Sequence, residues 1–230
     1  MLFSPGPLPG LFIFFNRHHQ PLLKFFRQLI VEFLCMHAPR KFFLAFSLFL
    51  SLSFFGQAQS QKLKYSSKEE DEFINWTPSR LTWNNYKGKP DRHDDAAAIT
   101  STALGMEYHV RGSKLNFKIT CRFSKTKSWG KHKTDYILQH EQGHFDITEI
   151  FARKLAKELL AYKFKRKTFE EDIAGIYNRV MQEKEKFQDE YDDKTDYSRN
   201  KNRQAEWLKK IEKELEKLAP YANYTNIRNS

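Results

Sequence analysis

The hydrophobic pattern of this chain changes period once, near residue 134. Before that point the signal is alternation. Leu115, Phe117, Ile119 and Cys121 alternate with Asn116, Lys118, Thr120 and Arg122, which predicts a strand with one buried and one wet face. Residues 97–110 read as a preceding strand, and Arg111-Gly112-Ser113-Lys114 is the hairpin connection between the two. Residues 81–86 read as a further short strand, ended by the turn-rich Lys87-Gly88-Lys89-Pro90-Asp91. After residue 134 the period is helical. Ile137, His140, His144, Ile147, Phe151 and Leu155 fall on one i, i+3, i+4, i+7 stripe. Thr134 is a suitable N-cap with Asp135 in the first turn, and Arg153, Lys154, Lys157 and Lys163 gather toward an end near Tyr162. A second helix is predicted over residues 169–191, with Ile173, Ile176, Val180 and Phe187 as its stripe. A third begins near Arg203 and carries Trp207, Ile211, Leu215 and Leu218. Residues 191–200 are expected to be the loop between them. Strands followed by helices define an α+β class.

The ends do not share this pattern. Residues 36–58 have the three parts of a secretory signal peptide. These are a basic start at Arg40 and Lys41, an uncharged apolar run over 42–55, and small residues Gly56 and Ala58 before a cleavage point. The run is short for a membrane span, so the mature form is expected to have no stable one. Export to the periplasm or the medium follows as an expectation. Residues 1–35 precede this leader, and we read them as a non-native extension with translation starting at Met36. Residues 59–75 are polar enough for a linker, 76–219 form the folded domain, and 220–230 read as a loose tail.

Charge adds little to the picture. The chain of 230 residues has a net charge of +11; residues 1–58 hold five cations against Glu32, which leaves +7 for the rest. In the predicted helices Lys and Glu interleave, as in Glu183-Lys184-Glu185-Lys186, which is the pattern of solvated faces; no nucleic-acid motif accompanies it, and no nucleic-acid partner is expected. Cys35 falls outside the mature chain and Cys121 lies in a strand pattern, so Cys121 is read as a small buried hydrophobe.

The chemistry is concentrated in His140-Glu141-Gln142-Gly143-His144. Residues four apart on a helix differ by only about 40° in direction, so both imidazoles can grip one Zn²⁺, and Glu141 can act as general base on a water the metal activates. Both His lie on the stripe that should be buried, where an imidazole pair needs a partner. A catalytic zinc needs a third protein ligand. Asp146 is about 200° from His144 around the helix and Glu149 about 140°, so neither can join while the helix is regular. They are left with second-layer or structural work, and the third ligand should come from a later segment. Glu170, Glu171 and Asp172 are candidates, as is the acidic stretch 192–196. His93, His109 and His132 read as surface residues.

Residues 138–149 with Ala152-Arg153-Lys154, the Leu81-Thr82-Trp83 entry, the Ser128-Trp129 pair, and 191–195 running to 204–207 together resemble a bacterial family of exported proteins called domain of unknown function nine hundred twenty-two. The resemblance covers roughly residues 76–211. Its members are predicted to be zinc-dependent proteases, which implies a peptide or protein substrate. The family loop reads Tyr-Asp-x-x-Thr-x-His, and this chain has Tyr197 where that His stands. Tyr197 is therefore the expected third ligand. A nearby acid in its place, or a weakly binding and catalytically impaired member, are the other outcomes. The resemblance implies a zincin-like fold, with a small antiparallel sheet packed on the H-E-x-x-H helix and two further helices covering it. His140, His144 and Tyr197 would hold Zn²⁺ and Glu141 would be the catalytic base. An edge strand, 97–110 or 115–123, would hold the peptide by strand addition. The alternative reading is an envelope binding or structural protein that keeps this scaffold without turnover.

Overall fold

The computed structural model describes residues 72–112 and 114–229, so the extension at 1–35 and the leader at 36–58 lie outside the described residues. The sheet strands are β1 (Phe73–Asn75), β3 (Thr102–Arg111), β4 (Lys114–Ser124) and β6 (Ile227–Asn229); β2 (Ala98–Ile99) and β5 (Trp129–Gly130) pair separately. The helices are α1 (Asp135–Ala161), α2 (Phe169–Thr195) and α3 (Lys201–Lys217). The architecture is α+β, an antiparallel sheet and three helices.

β4 is the middle strand. β3 pairs along one side of it from Thr102↔Phe123 to Arg111↔Lys114, and Gly112 turns the hairpin at φ 66°, a left-handed backbone that glycine adopts without steric cost. The other side of β4 is shared by β1, at Asn75↔Arg122, and β6, at Phe117↔Ile227. The alternation along β4 is as read: Leu115, Phe117, Ile119, Cys121 and Phe123 are all buried. That face packs on α1, which also meets α2 and α3. Enclosed by the sheet and by two helices, α1 is buried well beyond one stripe: Phe145, Ile150, Ala152 and Ala156 join Ile147, Phe151 and Leu155.

Several boundaries differ from expectation, each for a local reason. Residues 81–86 are not a strand. Thr82 and Asn85 bond to each other, and Trp83–Asn85 closes as a 3-10 turn. The expected strand 97–110 breaks at Thr100-Ser101, where Ser101 N–H donates to Ser128 Oγ instead of a strand neighbour. Residues 73–75, expected in the linker, form β1. The expected loose tail forms β6, with Tyr224 and Ile227 buried. Thr134 caps α1 as read, its side chain accepting from Ile137 N–H at 3.2 Å. α2 continues to Thr195, so Tyr191, Asp192 and Asp193 are helical and not loop. It stops because Asp196, Tyr197 and Ser198 all take positive φ, a left-handed turn that Tyr136 holds by donating its hydroxyl to the Ser198 carbonyl.

Candidate metal centre

His140 and His144 lie on the face of α1 that meets the last turns of α2, and the side chain that reaches them from α2 is Asp192. Asp192 Oδ1 is 3.3 Å from His140 Nε2 and 3.0 Å from His144 Nε2, and the two Nε2 atoms are 3.3 Å apart. Among the described residues this is the group of His, Cys, Asp and Glu donors that could hold a metal ion. The triangle has a meaning in metal chemistry. A tetrahedron with arms of about 2.0–2.1 Å, the usual Zn–N and Zn–O lengths, has edges of about 3.3–3.4 Å. All three donor separations are near that edge, and two imidazoles with one carboxylate leave a fourth position open. The residues present fit a divalent ion. The His140 side chain is 5% exposed, that of His144 15% and that of Asp192 14%, so the open side is the side of His144 and Asp192.

The surrounding residues explain the rest of the five-residue motif. Gly143 is required by α2: a Cβ there would lie 2.5 Å from the Tyr191 hydroxyl. The fully buried Tyr191 ring stacks on His140 at 4.6 Å between centroids and its hydroxyl donates to the His140 carbonyl at 3.2 Å. Gln142 points to the opposite side. Its carbonyl oxygen accepts from Leu81 N–H at 2.8 Å, and its amide donates to Asp146, which also accepts from the Trp76 indole at 2.9 Å. Glu141 is buried, and its Oε2 has no hydrogen-bond partner. It lies close enough to Tyr86 and Tyr191 that burial and the Glu141 charge together hold both phenols protonated far above their ordinary range. Tyr86 shares a hydrogen bond of 2.8 Å with Thr100.

Gln188, one turn before Asp192 on α2, organises His144. Its carbonyl oxygen is 2.6 Å from His144 Nδ1, and its amide donates to the His144 carbonyl and to Thr148 Oγ1. Thr148 in turn bonds Thr102 of β3 at 2.7 Å. The acceptor at Nδ1 places the ring proton there and leaves Nε2 for a ligand. The electrostatics are those of a carboxylate between two imidazoles. Burial opposes charge on His144, but Asp192 outweighs it and raises His144 to about 9. Burial lowers His140, with Asp192 opposing in part. Asp192 itself is resisted by burial but held well below the usual carboxylate range by the two rings.

Tyr197 is not brought to this group. It is 59% exposed on the left-handed turn, and its ring is 5.9 Å from the Arg199 guanidinium. Asp192, within the acidic stretch considered as an alternative, stands beside the His pair in its place. Asp172 bonds Tyr162 and Thr168 at the start of α2. Asp146 and Glu149 face away from the pair, as the helical angles require: Glu149 accepts from Arg153 at 2.8 Å and from the Tyr224 hydroxyl. Gln188, Tyr191 and Tyr86 were not identified from the sequence. A signal was present for Tyr191, which the family pattern Tyr-Asp-x-x-Thr-x-His names beside Asp192; Gln188 is one turn earlier and carries none.

A family described as "Bacterial protein of unknown function (DUF922)" matches residues 57–199. No curated protein and no solved structure matches the chain.

Proposed function

We propose that this chain, which belongs to the bacterial DUF922 family, is an exported zinc-dependent metallopeptidase with zincin-like packing of its sheet on α1. The observation that carries the reading is the His140–His144–Asp192 triangle, whose edges of 3.0–3.3 Å suit one tetrahedral ion. His140, His144 and Asp192 would hold the zinc, with Asp192 in the role expected of Tyr197. When bound, the ion supplies a Lewis acid that polarises a carbonyl and acidifies water.

The chain's own residues do the rest. Glu141, with one carboxylate oxygen unpartnered and next to His140, accepts the proton of the attacking water and returns it to the leaving amine. Gln188 holds His144 Nδ1–H, so that Nε2 stays aimed at the site. Tyr191 fixes the His140 ring by stacking and fills the space over Gly143. Of the two strands expected to seat a peptide, β4 is internal and cannot. β3 has the outer edge, where Tyr177 already donates to the Leu104 carbonyl at 2.8 Å. A peptide would therefore align on β3 on the His144 side of that contact.

Elemental analysis and a peptide-hydrolysis assay on the purified protein test this. Stoichiometric zinc is expected in the wild type and in Tyr197→Phe, and its loss in Asp192→Ala. Glu141→Gln should keep zinc and lose hydrolysis. Zinc retained by Asp192→Ala, or hydrolysis unchanged in Glu141→Gln, refutes the assignment. Zinc with no hydrolysis in any form identifies a metal-binding protein without turnover.

A further inference from the structure

The face of the sheet turned away from α1 is strongly basic. Lys114, Asn116, Lys118, Thr120 and Arg122 alternate with the buried series on β4 and so share this outer face. The register places Arg111 beside Lys114, Glu107 beside Lys118, and Arg228 of β6 on the far side of Asn116. Four exposed cations thus stand around Glu107, and at the far end of the row half-buried Arg122 lies near Glu72, which accepts from Ser124 at 3.0 Å. Arg111, Lys114, Lys118 and Arg228 are exposed, and the Arg122 guanidinium lies 4.7 Å over the Phe73 ring. At about 3.4 Å per residue, the row from Lys114 to Arg122 is roughly 27 Å long. The opposite charge is on α2, which carries nine acids against four cations and packs on α1, behind the other face of the sheet. Elsewhere α3 carries six cations against four acids and residues 163–167 four cations and no acid, so the acidic excess is greatest on α2.

We propose that this outer sheet face seats the protein peripherally on an anionic lipid bilayer, with the helices that carry His140, His144 and Asp192 turned away from the lipid. A lipid surface needs only cations on one common face, each attracted nearly independently of exact geometry. A single-stranded nucleic acid needs aromatic platforms for its bases, and among the described residues this face offers Phe73, already beneath Arg122, and the His109 imidazole near the other end of the row. Among the described residues no helix is long and apolar enough to cross a membrane, so attachment through them is peripheral.

Vesicle co-sedimentation of the purified protein tests the proposal, with neutral phosphatidylcholine vesicles compared with vesicles containing about one-third phosphatidylglycerol. Partitioning on the anionic vesicles should exceed that on neutral ones by at least about tenfold and disappear as salt rises from about 0.05 M to about 0.5 M. Lys118→Glu combined with Arg228→Glu should lower it at least about tenfold, and Glu107→Lys, which reverses the acid beside Lys118, should raise it. The Glu107→Lys arm is a gain, so misfolding cannot imitate it, and its zinc content should equal that of the wild type. Equal binding to neutral vesicles, indifference to both variants, or tighter binding to single-stranded DNA than to anionic vesicles overturns the proposal.

Discussion

Replacing Gly143 with alanine sets two known effects against each other. In the interior of a helix Gly→Ala normally stabilises by about 1 kcal/mol. Here the added Cβ would lie 2.5 Å from the Tyr191 hydroxyl, 2.9 Å from its Cζ and 3.1 Å from its Cε1. Ordinary contact begins near 3.4 Å, so the ring must retreat by most of an ångström. It has nowhere to go: Tyr191 is fully buried, with His140 at 4.6 Å, His144 at 5.1 Å and Trp207 at 5.8 Å between ring centroids. Overpacking of this kind costs about 1–3 kcal/mol, and loss of the hydroxyl bond to the His140 carbonyl about 1 kcal/mol more. Against the propensity gain, a net loss of about 1–3 kcal/mol is expected. For a domain of this size each kcal/mol lowers the melting temperature by about 2–4 °C. Gly175 is the internal control. It is an exposed glycine of α2 with nothing within 4 Å of a built Cβ, so Gly175→Ala should stabilise by up to about 1 kcal/mol. Urea unfolding followed by circular dichroism measures both. Adding Tyr191→Phe to Gly143→Ala removes the closest atom and should recover about 1 kcal/mol relative to additivity. If Gly143→Ala stabilises like Gly175→Ala, Tyr191 does not occupy the space beneath the motif, and the account of the motif's glycine fails.

Three further outcomes are expected. Gln188→Leu, which removes the acceptor at His144 Nδ1 while keeping the volume, should weaken zinc binding about 10–100-fold in chelator competition with little change in the fold. In the metal-free protein His144 is raised to about 9. Its contribution to stability is therefore complete below its unfolded value near 6.5 and lost as pH rises through about 9, and zinc binding at pH 7.5 should release about one proton, measurable by calorimetry in buffers of different ionisation heat. Tyr224→Phe leaves the buried Glu149 with one partner fewer and should destabilise the protein by about 1–3 kcal/mol in the same unfolding assay.

The parts of the molecule that were legible in the sequence are those with a period. The β4 alternation, the α1 stripe and its Thr134 cap are written in neighbouring residues, and the i, i+4 spacing alone brings the two His rings to one face. The same angular argument removed Asp146 and Glu149 from the pair. What was not legible depends on where one helix meets another. Helical spacing does not distinguish Asp192 from Asp193 or Asp196, and the family pattern that fixes an Asp at 192 directs attention to position 197 instead. Only the packing of α2 on α1 selects the one whose side chain reaches the rings. Tyr197 was expected there from its place in a motif, but the left-handed turn at 196–198 rotates it outward. β1 and β6 were missed because three-residue strands carry too few positions to alternate, and each exists only because β4 offers it an edge.

That edge bears on the order of assembly. β6 pairs with β4 across more than a hundred positions, and all three helices lie in the interval. Closing so long a loop is entropically unfavourable until something else has brought its ends together. The β3–β4 hairpin and the α1–α2 pair close over shorter stretches of chain than β4–β6, so the His140–His144–Asp192 triangle is expected to form before β6 docks. In a folding intermediate of that kind the metal ligands would be set while β4 still lacked β6, and an early metal ion would hold α1 and α2 together as a platform on which the final strand docks. If zinc binds there as proposed, it would act as a folding factor as well as a reagent, and its absence would be felt first in the rate at which β6 closes.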